Sequence, residues 1–190
     1  LDTIVCMDAL EFMRALPDQS VDAVITDPPY GLAGRVFEFP HKNYTAINEA
    51  WDHTAPTDWM QEAQRILKPK GSVLCFGGRQ SIYTFASEGF RLGWRLVNDI
   101  TWIKPDAPPN FTGRMLTEST ERLLWFCPSG SGWYYDLTHA KSINCGINFR
   151  DVWTFRVDRG NRLHPSQKPL ALMERAIRSE EHTSELQSHH

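Results

Sequence analysis

Apolar side chains recur along the chain with two different spacings, and each switch between them marks an element. Residues 3–6 are a short β-prone run, and residues 9–16 carry apolar positions at helical spacing before the turn cluster Pro17-Asp18-Gln19-Ser20. Residues 21–26, VDAVIT, form an apolar run that stops abruptly at Asp27-Pro28-Pro29-Tyr30. Two prolines offer no ladder donors, so this tetrapeptide stands at the carboxyl end of a strand. Residues 31–50 lack a strong period and contain Gly31, Gly34 and Pro40, the composition of a long functional loop.

Helical spacing returns over 58–67, where Trp59, Met60, Ala63, Ile66 and Leu67 share a face, and Lys68-Pro69-Lys70-Gly71 is expected to end that helix. Residues 72–76 read as a fully buried strand closed by Gly77-Gly78, and 81–88 as a second crossover helix. Residues 95–104 and 121–127 are further strands, separated by a proline-rich loop over 105–112. Leu170, Leu172, Met173 and Ile177 fall again at helical spacing. Strands alternating with helices predict an open α/β sheet. No internal repeat or second core is visible, so the 190 residues, 41% apolar and 23% charged, read as one globular unit.

Composition narrows the setting. No run approaches the roughly 18 apolar residues of a membrane span, and no basic-then-apolar leader opens the chain, so membrane and secreted readings are set aside. Cys6, Cys75, Cys127 and Cys145 are far apart without a C-x-x-C pair, which signals neither a zinc cluster nor a disulfide framework and fits a reducing cytoplasm. The net charge of −3 hides an uneven distribution: residues 1–70 carry 6 Lys/Arg against 11 Asp/Glu. Residues 139–169 carry Lys141, Arg150, Arg156, Arg159, Arg162 and Lys168 against only Asp151 and Asp158. That stretch is either a face for a polyanion or a solvated surface with ordinary ion pairs.

In open α/β sheets the ligand crevice lies beyond the carboxyl ends of the strands, where Asp27-Pro28-Pro29-Tyr30 falls. The string resembles motif IV of the amino-methyltransferases, which methylate exocyclic nitrogens of adenine or cytosine in DNA with S-adenosylmethionine. The chemistry is coherent with that resemblance. An aromatic exocyclic amine is a poor nucleophile because its lone pair is delocalised into the ring, and hydrogen-bond acceptors on its two N–H groups localise the pair. The Asp27 carboxylate and the Pro28 carbonyl are the acceptors, and Tyr30 is placed to stack on a flipped base. Read without the resemblance, the same residues are a strand-ending turn in which Asp27 satisfies local amides.

A second segment, His164-Pro165-Ser166-Gln167-Lys168-Pro169 before the last helix, resembles the family's motif X, which helps to hold the cofactor. The opening residues 5–10 resemble the acidic strand end near the cofactor adenosine, with Met7 and Asp8 as the binding candidates; Asp8 reads equally as a helix N-cap. Asp27, His164, Pro165, Ser166, Gln167 and Lys168 complete the implied cofactor set. Trp51-Asp52, the helix end near Arg65 to Gly71, the strand before Gly78 and the Thr120-Glu121 pair follow the family's spacing, so the resemblance covers residues 1–177. It implies a Rossmann-like methyltransferase sheet, with residues 1–104 as catalytic half, 105–162 as target-recognition region and 163–177 as the motif X segment. Motif IV before motif X is the order of the β class, in which motif I, Phe-x-Gly-x-Gly, comes last. No such string occurs here, so the sheet is expected to be incomplete, lacking central strands between the strand that ends at Cys6 and the strand that ends at Thr26. The tail 178–190, RSEEHTSELQSHH, resembles the translation of a sequencing adapter and is expected to be foreign.

The resemblance implies double-stranded DNA as partner and S-adenosylmethionine as cofactor, admits a cognate restriction endonuclease and a homodimer, and predicts neither a metal nor a membrane partner. C5-cytosine methylation is excluded because its cysteine nucleophile usually stands in a Pro-Cys step, which is absent. Asp27 in the first motif IV position favours N6-adenine over N4-cytosine. Asn110, Arg114, Lys141, Asn144 and Arg150 are the candidate DNA contacts. A reading of another class is a non-catalytic nucleic-acid-binding module that exposes Trp133, Tyr134, Tyr135 and Trp153. Without a motif I loop, the 190-residue chain is expected to bind S-adenosylmethionine weakly or not at all; micromolar binding by calorimetry overturns that expectation.

Overall fold

Strand β2 (Leu67–Gly77) is buried along its whole second half, from Gly71 to Gly77, and the fold is built outward from it. The structure is a computed structural model that describes residues 3–33, 52–110, 113–128, 132–158, 160 and 166–179. The remaining elements are α1 (Ala9–Ala15), β1 (Val21–Thr26), α2 (Trp59–Ile66), α3 (Ser81–Arg91), β3 (Arg95–Ile103), β4 (Thr120–Cys127), α4 (Leu137–Ser142), β5 (Val152–Thr154) and α5 (Leu170–Ser179). They form a five-stranded sheet in the order β1-β2-β4-β3-β5. β1 runs parallel to β2 and β5 parallel to β3, while β4 is antiparallel to both of its neighbours. The carboxyl ends of β1, β2, β3 and β5 therefore share one edge with the amino end of β4.

Side chains alternate across the central strands as a pleated sheet requires. Val73 and Cys75 of β2 with Leu124 and Phe126 of β4 face Trp59, Met60 and Ala63 of α2 and Ile82 and Phe85 of α3. Leu74, Phe76, Leu123 and Trp125 face the other way, onto Trp102, Trp153 and the α5 residues Leu172 and Ala176. A sheet covered on both faces needs strands apolar at every position, which is why LLWF and VLCF read as continuous runs. Trp153 is 3% exposed and belongs to this core, and Trp133 and Tyr135 pack against it.

Three expectations are corrected. Residues 3–6 form no strand: Ile4 is fully exposed, and among the described residues β1 pairs only with β2, so the run has no ladder to join. Lys68-Pro69-Lys70-Gly71 does not follow the helix as a stop but lies inside β2, where the register jumps from Val21↔Leu67 to Ala23↔Ser72. Lys70 takes a left-handed φ of 70° in that bulge, which also accommodates Pro69. Helix α5 runs on through Arg178 to Ser179, so the helical pattern does not break at residue 178.

The indole N–H of Trp125 donates to the buried hydroxyl of Ser72 across β2 and β4 at 2.9 Å. Ser72→Ala is expected to lower stability by about 1–3 kcal/mol, because it leaves that donor buried without a partner. In a Trp125→Phe background the same change is expected to cost less than about 0.5 kcal/mol; equal costs in urea titrations of the two backgrounds remove the bond from the account.

Candidate active site

The site is assembled where β1 leaves the sheet. After Thr26 the prolines carry the chain away, and the next three amides turn into one buried carboxylate. Asp52 Oδ1 accepts from the backbone N–H of Tyr30 (2.7 Å) and Gly31 (2.8 Å), and Oδ2 from that of Leu32 (3.2 Å). The Asp52 carbonyl accepts from Ala33 N–H at 2.9 Å, and the residue is 3% exposed. This is an anion seated in a nest of successive amides, closed internally by the protein's own carboxylate. Gly31 has φ +69°, and a Cβ there would lie 3.2 Å from the backbone nitrogen of Ala55, so the position admits little but glycine.

The Tyr30 ring lies against Gly78, where an added Cβ would come within 2.9 Å of its Cδ2. Its hydroxyl donates to Asp27 Oδ1 at 2.8 Å and lies 3.4 Å from Glu121 Oε2. Lys168 Nζ stands 2.9 Å from Asp27 Oδ2 and 3.3 Å from Glu121 Oε2, and 5.0 Å over the Tyr30 ring. Lys104, just past the end of β3, places its ammonium 3.0 Å from Glu121 Oε1. Two ammonium groups, two carboxylates and a phenol thus close on one another at the shared edge of the sheet.

A crevice of about 1140 Å³ opens beside them, lined by Tyr30, Trp102, Lys104, Glu121, Gln167 and Lys168 among others. The volume suits a nucleobase with room beyond it. Of the residues singled out in the sequence, Asp27, Pro28, Pro29 and Tyr30 stand together, of which Tyr30 lines the crevice; Ser166, Gln167 and Lys168 line it from before α5, and Lys168 reaches Asp27. Met7 and Asp8 do not line the crevice; Asp8 caps α1 by accepting from Glu11 N–H at 3.0 Å. His164, Pro165 and Trp51 lie outside the described residues. Asn110 spends its carboxamide on the Met115 carbonyl at 2.6 Å, within the loop that also carries the exposed Arg114. Asn144 closes a turn after α4, the helix of Lys141, by donating to the Ile147 carbonyl at 2.8 Å, and Arg150 lines a separate cavity of about 340 Å³. None of these five lines the crevice.

A family profile for N6/N4 methyltransferases, described as DNA methylase, matches residues 21–186. The chain belongs to that family. The methylase is 30% identical over 189 residues to the Type II methyltransferase M2.DpnII of Streptococcus pneumoniae, covering 92% of this chain and 70% of that protein. To the Type II methyltransferase M2.MboI of Moraxella bovis it is 28% identical over 186 residues, covering 90% and 68%. Among solved structures, PvuII DNA methyltransferase (cytosine-N4-specific) superposes with a TM-score of 0.66 at 18% identity, over 92% of this chain and 68% of that one. The M1.HpyAVI–SAM complex superposes with a TM-score of 0.60 at 24% identity, over 90% and 73%. The fold is thus the Rossmann-like one of these methyltransferases, and the order of its motifs is that of the β class.

The electrostatics of the methylase site follow from burial against charge. Burial, then the charges of Asp27 and Glu121, hold the Tyr30 phenol far above its ordinary range, so it stays a neutral donor. Burial and the Asp27 charge likewise push up the Cys75 thiol. Burial also works to raise Glu121, but the ammonium groups of Lys168 and Lys104 outweigh it and leave the carboxyl below its ordinary value. Lys104 and Glu121 were the residues that periodicity did not single out: they lie 17 positions apart and meet only through the β3–β4 pairing.

A carboxyl lowered on folding contributes stability above its ordinary pKa near 4.5 and loses it as the pH falls through the depressed folded value. Glu121→Gln is therefore expected to lower the thermal midpoint at pH 7, by an amount equivalent to roughly 1–3 kcal/mol. The gap between variant and wild type should close below the ordinary carboxylate range; a gap independent of pH between 7 and 3 rules out the ion pairs as its source.

Proposed function

We propose that the methylase transfers a methyl group from S-adenosylmethionine to the exocyclic N6 of adenine, in a base flipped out of double-stranded DNA. The observation that carries this reading is the placement of Asp27, Pro28 and Tyr30 at the carboxyl end of β1, beside a crevice large enough to take a nucleobase. Asp27 would accept one N–H of the amine and the Pro28 carbonyl the other, returning the lone pair to the nitrogen, so that the N–C bond would form as the methyl–sulfur bond breaks and its electron pair stays on sulfur as a neutral thioether. The nitrogen then carries one surplus proton, which leaves to the adjacent carboxylate or to water. Tyr30, neutral and pinned against Gly78, offers its ring to the base. Asp in the first motif IV position favours adenine, whereas the N4-cytosine enzymes more often carry Ser.

The residues present fit part of a cofactor site. When bound, S-adenosylmethionine supplies an electrophilic methyl on a sulfonium cation, which the Asp27 carboxylate and the Tyr30 ring both favour. Ser166 and Gln167 line the crevice beside them and would hydrogen-bond the donor. No Phe-x-Gly-x-Gly string occurs in the sequence, and β1 keeps one side without a partner strand among the described residues. The reading assigns to these residues the base-activating half of the site, and the grip on the methionine end of the donor to a loop that this stretch does not contain.

Three measurements test it. Sequencing the source DNA across the Ile177/Arg178 junction is expected to read on toward a motif I loop; a native RSEEHTSELQSHH terminus instead favours a nucleic-acid-binding module. In the parent protein so recovered, methylated DNA digested to nucleosides is expected to contain N6-methyladenine. N4-methylcytosine in its place overturns the choice of base. Asp27→Ala there should reduce transfer by at least about a hundredfold while DNA binding persists, the size of losing one preorganised transition-state contact.

A further inference from the structure

Both oxygens of Asp27 are taken by the protein's own donors. Oδ1 accepts from the Tyr30 hydroxyl at 2.8 Å, and Oδ2 faces the Lys168 ammonium at 2.9 Å. The ammonium makes the two contacts that the target amine would make, an N–H directed at Asp27 and a position over the Tyr30 ring, 5.0 Å from its centroid. It is nearly buried, with the side chain 9% exposed, so it is no incidental surface pair. A second carboxylate already stands 3.3 Å from the same nitrogen: Glu121 Oε2. Glu121 is fixed by Lys104 on its other oxygen at 3.0 Å.

We propose that Lys168 is a stand-in for the target amine, holding Asp27 until a base displaces it, and that Glu121 takes over its ammonium when the base enters. The proposal rests on the base-pocket reading above and adds a specificity device to it. The ammonium passes from one carboxylate to another without ever being buried unpaired, which keeps the exchange inexpensive in a poorly solvated site. Only the side chain has to move, because Pro169 is buried and starts α5, whose Leu172 and Ala176 are locked in the core. Tyr30 does not yield in its place, since Gly78 and the Asp52 nest hold its ring and backbone. The exchange also discriminates. A base with an exocyclic amine replaces the donor that Asp27 loses, whereas thymine presents a carbonyl oxygen to a carboxylate and cannot release the lysine.

The test uses the 190-residue chain and neutral nucleosides, so that no phosphate charge enters, with binding followed by NMR titration of the Trp102 indole in the crevice wall. Lys168→Met removes the competitor and is expected to bind 2′-deoxyadenosine and 2′-deoxycytidine about tenfold more tightly than wild type, with thymidine unchanged. Glu121→Gln removes the receiving carboxylate and is expected to bind the two amino nucleosides about tenfold more weakly. In the double variant the Glu121→Gln effect should vanish, which a merely structural role for Glu121 would not produce; Lys168→Gln serves in place of Lys168→Met if the latter loses its cooperative thermal transition. Weaker amino-nucleoside binding by the Lys168 variant, or equal tightening toward thymidine, overturns the stand-in alone. No binding of either amino nucleoside by any variant removes the base-pocket reading together with it.

Discussion

Two adjacent prolines cannot extend a β-ladder, and at the end of β1 that incapacity organises everything around it. The chain must leave the sheet at Asp27, and the amides that follow must find acceptors off the sheet. Asp52 supplies them from a segment 22 residues downstream of Tyr30, gathering three N–H groups into one buried carboxylate. The loop is thereby held as firmly as a strand would hold it, yet with its carbonyls and the Asp27 side chain turned out of the ladder. A binding site needs both properties at once, fixed geometry and acceptors that no ladder consumes.

Charge is handled by the same economy. The shared edge of the sheet gathers Asp27, Glu121, Lys104 and Lys168, none of which could be buried alone without heavy penalty. Together they sum to zero, and the neutral Tyr30 phenol completes the ring of contacts. Each ion keeps at least one partner within about 3 Å, so the cluster tolerates a low-dielectric surrounding that strengthens every contact aimed at a ligand.

The sequence made much of this visible. Helices α2, α3 and α5 and strands β2 to β4 were readable because a two-faced sheet and its covering helices leave strong apolar periods, and the turn after β1 was readable from the prolines alone. Residues 3–6 were misleading because β-propensity describes a surface that fits a sheet, not the presence of a neighbouring strand. The bulge at 68–71 was hidden because Lys-Pro-Lys-Gly reads equally as a helix stop and as an interruption inside a strand. Asp52 and Glu121 stood out only through the family's spacing and Lys104 not at all: a lysine and a glutamate at two strand ends become neighbours only when pairing brings the strands together.

The β3–β4 connection has one further property. The backbone N–H of Lys104 donates to the Ser119 carbonyl at 2.8 Å, closing the loop at its base, directly beside the two charged side chains that serve the site. Everything between these residues hangs from a clasp that the chemistry does not share. Such a loop could exchange side chains at the mouth of the crevice, where Pro108, Pro109 and Met115 line it, while Lys104 and Glu121 keep their places. Inheritance of the reaction and inheritance of whatever that loop touches are, in this architecture, separable.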